Sequence, residues 1–381
     1  MIPYGRQYLD EEDIREVSKV LRSNWLTTGP RVSDFEEAVA DYVGVKYAVA
    51  VNSGTAALHC SMYALGIDDG DEVIVPPMTF AATANCIVYQ KGVPVFADVD
   101  PNTLLIDPEG IEEKIGLRTK AIVAVDYAGH PCNYEKLKYI AKKNNMSLIS
   151  DGCHALGAEY KKEKVGTLAD MTVFSFHPVK HITTGEGGMI VTNDSEYRDR
   201  MRRFRNHGIK SDYVKRDAMG SWVYEIDELG FNYRITDIQC ALGISQLKKL
   251  EGFLKRRREI AELYNVLLLD IPTIRPLEVK EEVSHAYHLY VIRAEFSSIG
   301  ADKAHFFSAL RGKGIGVNVH YIPVHFHPFY RRHFNTGPGL CPVAEKAYEQ
   351  IITLPIYPGM SDTDVETVIK ALKDTIKEFT K

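Results

Sequence analysis

The strongest constraint on this fold is a rhythm between Tyr47 and Asn193. Seven short apolar runs recur there: "YAVAV" (47–51), "EVIVP" (72–76), "VPVFADV" (93–99), "AIVAVDY" (121–127), "SLISD" (147–151), "MTVFSF" (171–176) and "GMIVTN" (188–193). Short apolar runs bounded by turn residues read as buried strands. Between several of them lie amphipathic helical patterns such as "YEKLKYIAKKN" (134–144). Strands joined by helical crossovers predict a mainly parallel, seven-stranded α/β sheet covered on both faces. Such a sheet binds ligands beyond the carboxyl ends of its strands.

Upstream, "SDFEEAVADYV" (33–43) has Ser33 and Glu36 at capping-box spacing, with Phe35, Val39, Tyr42 and Val43 on one helical face. Past residue 245 the texture changes. A long charged helix (243–268) is expected to lead into a less regular α+β pattern. That pattern holds "AYHLYVIR" (286–293), a helix near 302–313, "GVNVHYIPVH" (316–325) and a closing helix from 362. The reading is a large domain, 1–245, and a smaller C-terminal domain, 246–381, that includes the connecting helix.

Composition narrows the function classes. The chain has 381 residues, 45% hydrophobic, with Lys+Arg 46 against Asp+Glu 51. A net charge of −5 gives no electrostatic surface for nucleic acid. The basic run "KRRRE" (255–259) falls in a helical pattern beside acidic residues and reads as a solvated face. No apolar run approaches the roughly 18 residues of a membrane span. The N-terminal stretch turns acidic early and reads as no signal peptide. Six scattered cysteines without a CxxC pair read as reduced thiols of a cytoplasmic protein, with no ligand spacing for a metal.

The polar residues gather where the sheet predicts. "VNSGTAALHC" (51–60) runs from a strand through Ser-Gly-Thr into a helix. Amides at a helix N-terminus favour an anion, and Gly54 lets one approach. An ordinary N-capped helix is the equal alternative. Asp151 ends "SLISD" and is followed by Gly152, Cys153 and His154. It is either a capping residue or the partner of a protonated heterocyclic nitrogen. Lys180 follows "MTVFSF" inside "HPVKHITTGEGG". A solvated charge, a phosphate ligand and a nucleophile of lowered pKa are all open to it. Ser175 is a candidate phosphate donor, and Gly185, Gly187 and Gly188 permit close backbone packing.

Taken in order, "SNWLTTGP", "NSGTAALH", "PPMTFAATAN", "SDGCHALGAEY", "FSFHPVKHITTGEGGMI", "GFNYRITDIQCALG" and "GIGVNVHYIP" resemble the DegT/StrS-type nucleotide-sugar aminotransferases, a branch of the fold-type-I pyridoxal phosphate (PLP) enzymes. The likeness spans nearly the whole chain. It implies that Lys180 binds PLP covalently, that Asp151 pairs with the pyridine nitrogen, and that His154 lies near the 3-hydroxyl. It implies Phe80 on the ring face and Gly54, Thr55 and Ser175 on the phosphate. Asn232 would reach the phosphate of a neighbouring subunit, so the site would be shared across a homodimer.

"VDYAGHP" (125–131), "SDGCHALGAEY" and "FSFHPVK" look like the branch making UDP-4-amino-4,6-dideoxy-N-acetyl-β-L-altrosamine for pseudaminic acid. "SNWLTTGP", "ALGIDDGDEVI" and "GIGVNVHY" also look like the UDP-4-amino-4-deoxy-L-arabinose branch. Both place an amine on C4 of a UDP-4-keto sugar, with L-glutamate as donor. Tyr4, Asn24, Trp25, Leu26, Thr27, Gly54, Ser175, Asn232, His320 and Tyr321 would then line the sugar-nucleotide site. The family's frequent "DAAQ" or "DAAH" is "DGCH" here, which leaves the packing at Gly152 and Cys153 open. Amination of a dTDP or 3-keto sugar is the alternative. Two rivals are disfavoured. A sugar dehydratase, whose variant of this scaffold has histidine in place of the lysine, is disfavoured because Lys180 is present. A non-catalytic regulator is disfavoured because Asp151, His154, Ser175 and Lys180 are all intact.

Overall fold

The computed structural model describes residues 1–210 and 220–380. All seven apolar runs become strands of one sheet. They are β1 (Tyr47–Val51), β2 (Glu72–Val75), β3 (Val93–Phe96), β4 (Thr119–Val125), β5 (Ser147–Asp151), β8 (Met171–Ser175) and β9 (Gly188–Thr192). The short β6 (Glu159–Tyr160) and β7 (Glu163–Lys164) form a hairpin between β5 and β8. The order across the large sheet is β1-β9-β8-β5-β4-β2-β3. β2, β3, β4, β5 and β8 pair in parallel, whereas β9 runs antiparallel to both β1 and β8. The strands are apolar on both faces because helices cover both, and every residue of β9 is buried.

Register sets the position of the polar residues. Gly188 at the start of β9 lies opposite Val51 at the end of β1 and Ser175 at the end of β8. Asp151 at the end of β5 lies between Val125 and Val173. The Ser53–Thr55 turn, Asp151 and the Ser175–Lys180 segment therefore leave the sheet along one edge.

A second apolar core forms around a three-stranded antiparallel sheet of β10 (Ile274–Pro276), β12 (Tyr290–Ala294) and β13 (Ile351–Leu354). Helices Leu250–Leu268, Lys303–Gly312 and Asp362–Phe379 pack on it. β11 (Val283–Ser284) instead adds to the β6–β7 hairpin. "GVNVHYIPVH" holds an isolated bridge, Asn318 to Thr353, and a short 3-10 turn, Val324–Phe326.

Three local expectations are corrected. The early helix is Pro30–Val43, so Ser33 is interior and caps nothing. Proline is preorganised for the first helical position, and it sets the start here. Ser33 donates to the Pro30 carbonyl at 2.9 Å, and Glu36 is buried against Arg202 and Arg205. The expected 243–268 helix is two helices, Asp237–Leu247 and Leu250–Leu268. Between them Lys249 turns to pair with Asp10 (2.5 Å) and Asp13 (2.9 Å). Finally, "KRRRE" is no solvated face. Arg257 is fully buried, and Arg256 and Arg258 donate to the Met360 and His285 carbonyls.

Candidate active site

Asp151 ends β5 with its carboxylate buried. Oδ2 accepts from Thr83 Oγ1 at 2.7 Å, and Oδ1 accepts from the Cys153 amide at 3.3 Å. Thr83 is held in turn by Thr79, hydroxyl to hydroxyl at 2.7 Å. These contacts fix the carboxylate orientation, and a buried carboxylate without such donors costs more than an unpaired neutral polar group does.

Lys180 lies in the loop after β8, partly buried. Burial lowers its pKa from the ordinary lysine value, while Cys153 and Asp151 oppose that shift. Its Nζ stands 3.4 Å from His288 Nε2. A lysine amine of lowered pKa has a larger neutral, nucleophilic fraction near neutral pH.

His154 follows on the same turn as Asp151. Its Nε2 meets the Tyr321 hydroxyl at 3.1 Å, and its ring centroid lies 4.3 Å from that of His288. Nδ1 of both His154 and His288 is buried without a protein partner. Burial, then Lys180, drives the His154 ring far below the usual histidine range, so it is neutral near pH 7. His320 is pushed down to about 3 for the same two reasons. Its Nδ1 pairs with Thr353 Oγ1 at 2.9 Å, and its carbonyl accepts from the Tyr127 hydroxyl. Tyr4 lies beside it, ring centroids 5.3 Å apart.

The Ser53–Thr55 turn opens helix Gly54–Leu65, with Ser53 as N-cap accepting from the Ala56 amide at 3.0 Å. Gly54 packs against Ser175: a Cβ there would stand 2.9 Å from Ser175 Cβ and 3.4 Å from Cys153 Sγ. The glycine thus brings the helix N-terminus, Ser175 and Cys153 together, and Thr55 follows in the first turn. "DGCH" is explained by the same packing. A Cβ at Gly152 would crowd Thr172, Phe174 and Val165 at 3.0–3.2 Å. His181 turns away from the turn, with Nε2 on the Ala286 carbonyl at 3.1 Å. Of the three glycines after Lys180, Gly188 has the tightest neighbours near the site, and they belong to Ser53 and Gly54 rather than to the lysine.

Phe80 stands 62% exposed at the mouth, its ring 6.2 Å from that of Tyr321. The other expected positions are less central within one chain. Asn232 is exposed, and its carbonyl accepts from Asn52 Nδ2 at 3.4 Å, which sets it beside the Ser53 turn. Asn24, Trp25, Leu26 and Thr27 are exposed, and the last two meet Asp237 and Thr236. Among the described residues no hydrogen bond joins these four to the Lys180 cluster. Sequence reasoning missed Thr83 and His288. Thr79 and Thr83 stand four apart in "MTFAATAN", a helical spacing, and His288 sits in the aromatic run "HAYHLY".

A neutralisable lysine, a buried carboxylate and a helix N-terminus beside a serine are the groups PLP needs at its aldehyde, ring nitrogen and phosphate. The unpartnered ring nitrogens leave polar atoms for a polar ligand to meet. The residues fit that cofactor.

Comparison with known proteins agrees with the geometry. Residues 7–373 match the model of the DegT/DnrJ/EryC1/StrS aminotransferase family. The spore coat polysaccharide biosynthesis protein SpsC of Bacillus subtilis is 41% identical over 378 residues, 99% of this chain and 97% of that one. The structure of Helicobacter pylori PseC, an aminotransferase involved in the biosynthesis of pseudaminic acid, superposes with a TM-score of 0.92 at 38% identity, covering 99% and 100% of the two chains. The PLP form of the sugar aminotransferase Spr1654 from Streptococcus pneumoniae, described as putative, superposes at 0.92 and 32% identity, covering 99% of each. With this architecture, this site and these relatives, the chain belongs to the DegT/DnrJ/EryC1/StrS family and is a PLP-dependent sugar aminotransferase.

Proposed function

We propose that the enzyme moves the amino group of L-glutamate to C4 of a UDP-4-keto-6-deoxy-N-acetylhexosamine, as in pseudaminic acid-type pathways. The likeness to PseC along the full chain supports the sugar. The single observation that carries the chemistry is the desolvated amine of Lys180 beside the fixed carboxylate of Asp151.

In this reading residues 1–245 form the cofactor-binding domain and 246–381 the smaller one, which supplies His288, His320 and Tyr321. Bound PLP supplies an aldehyde for the amine and a ring that accepts electrons. Lys180 holds it covalently and, once released, takes the proton from Cα of the amino donor with Nζ. Asp151, held in line by Thr83 and the Cys153 amide, would accept from the protonated ring nitrogen. Gly54, Thr55 and Ser175 hold the phosphate, joined by Asn232 of a second copy in a homodimer. His154, braced by Tyr321, would face the 3-hydroxyl, and Phe80 would cover the ring face. Tyr4, the Asn24–Thr27 segment, His320 and Tyr321 line the sugar nucleotide.

A panel of UDP- and dTDP-linked 4-keto and 3-keto sugars with L-glutamate, read by mass spectrometry, tests the substrate. The UDP-4-keto-6-deoxy-N-acetylhexosamine is expected to gain the amine fastest. Preference for the UDP-4-keto pentose would move the enzyme to the arabinose type. Preference for a 3-keto or dTDP sugar would overturn the assignment.

A further inference from the structure

The reaction as outlined leaves His288 and Arg257 without a task, yet both are buried behind the lysine. His288 Nε2 stands 3.4 Å from Lys180 Nζ, and its Nδ1 is buried with no partner. A buried N–H without an acceptor is rarer and costlier than a bare acceptor. The ring hydrogen therefore belongs on Nε2, facing the amine. An N–H donor satisfies the lone pair that only an uncharged amine carries.

Arg257 strengthens the case. Its Nη1 donates to the carbonyls of Tyr287 (3.1 Å), His288 (3.4 Å) and Ile356 (3.1 Å). Among the described residues no carboxylate pairs with it, and Nε and Nη2 have no partner. A buried guanidinium without a counter-ion opposes any second positive charge nearby.

We infer that His288 is a positioning residue for Lys180: its neutral ring holds the free amine unprotonated and in place to capture the cofactor, with the buried Arg257 opposing a second positive charge beside it. This rests on Lys180 being the cofactor lysine. The other groups facing the pair are consistent with it. Asp151, Cys153 and His154 come from the end of β5 and its turn, His181 from beside the lysine, and His320 and Tyr321 from the loop opposite. Burial pushes the Cys153 thiol and Tyr321 phenol up and the His154, His181 and His320 rings down, so all five are uncharged near neutral pH. Burial also drives His288 well down, with Lys180, His154, His181 and Arg257 adding to it. Cys153 and Asp151 oppose the lowering of the lysine; the Cys153 thiol is uncharged near neutral pH, and Thr83 and the Cys153 amide already occupy the Asp151 carboxylate.

The test is the rate at which the full chain, freed of cofactor, captures added PLP across pH, read as visible absorbance. Borohydride reduction and peptide mapping then identify the lysine. Loss of one hydrogen bond to the neutral amine is expected to raise the midpoint by about one pH unit in His288→Leu. His288→Gln, whose amide N–H can replace Nε2–H, is expected to keep the wild-type midpoint. Circular dichroism checks folding. If His288→Leu fails to fold, His288→Asn, whose shorter amide falls short of Nζ, takes its place with the same expected rise. An unmoved midpoint in the apolar or shortened variant, or an equal rise in His288→Gln, overturns the inference while leaving Lys180 as the cofactor lysine. Capture on a different lysine overturns both.

Discussion

At the scale of residues, the site is built around one carboxylate held by two donors and one amine whose burial lowers its pKa. Asp151→Asn keeps the shape but loses the charge that would answer a protonated ring nitrogen. A charge-assisted hydrogen bond is worth about 1.5–3 kcal/mol, so kcat/KM is expected to fall roughly 10–150-fold. Thr83→Val removes one donor to the same carboxylate and is expected to cost about tenfold or less in steady-state assays. A Thr83→Val loss as large as that of Asp151→Asn would show that the carboxylate depends on it alone. Asp151 and Lys180 were legible in the sequence because the first ends a recognisable strand and the second follows one in the next loop. Thr83 and His288 were not, because their partners lie 68 and 108 residues away. No local pattern carries such a pairing. Arg257 was misread for a related reason: a basic run looks the same whether one member points inward or all face water.

At the scale of elements, β9 and the Ser53–Gly54 turn approach too closely for a side chain to stand between them. A Cβ at Gly188 would lie 2.8 Å from the Gly54 amide nitrogen and closer still to the Ser53 carbonyl. Gly188→Ala must shift the turn or the strand. We expect PLP affinity to drop at least tenfold, with a lower unfolding midpoint, by equilibrium dialysis and thermal denaturation. Wild-type affinity in that variant would show the turn to be unconnected with the phosphate.

Glu36 anchors the other side of β1. Burial pushes its carboxyl up, but Arg205 and Arg202, with the Ala50 amide, outweigh that and leave it below the usual range. Its stabilising effect is therefore present above the ordinary carboxylate pKa and lost as pH falls through the lowered value. Glu36→Gln strands Arg205, at 2.5 Å in the native pair, and is expected to cost about 3 kcal/mol in urea unfolding at pH 7. The gap to wild type should shrink below about pH 4. The capping-box reading of Glu36 failed because Pro30 starts the helix earlier, and Asp237 takes the Gly29 and Arg31 amides.

At the scale of the molecule, the seven strands were readable because burial on both faces leaves an unbroken apolar run. The order of strands and the reversal of β9 were not readable, since both are set by which edges meet. The break at residues 248–249 also escaped notice, because no glycine or proline marks it. The proposed sharing of sites across a homodimer has its own test. Lys180→Ala and Asn232→Ala chains, mixed and allowed to exchange, should regain activity in mixed dimers. One site of such a dimer would combine an intact Lys180 with an intact Asn232. No gain over the separate variants would place Asn232 at its own chain's site.

The central claim is that Lys180 carries amine transfer between glutamate and a UDP-4-keto sugar. Rapid-mixing absorbance tests it most directly. The purified protein is expected to be yellow, to bleach with L-glutamate, and to regain colour when the UDP-4-keto sugar is added. Lys180→Ala should lack the visible absorbance of lysine-bound cofactor and have no turnover. A Lys180→Ala protein that still transfers the amine at the wild-type rate would contradict the account.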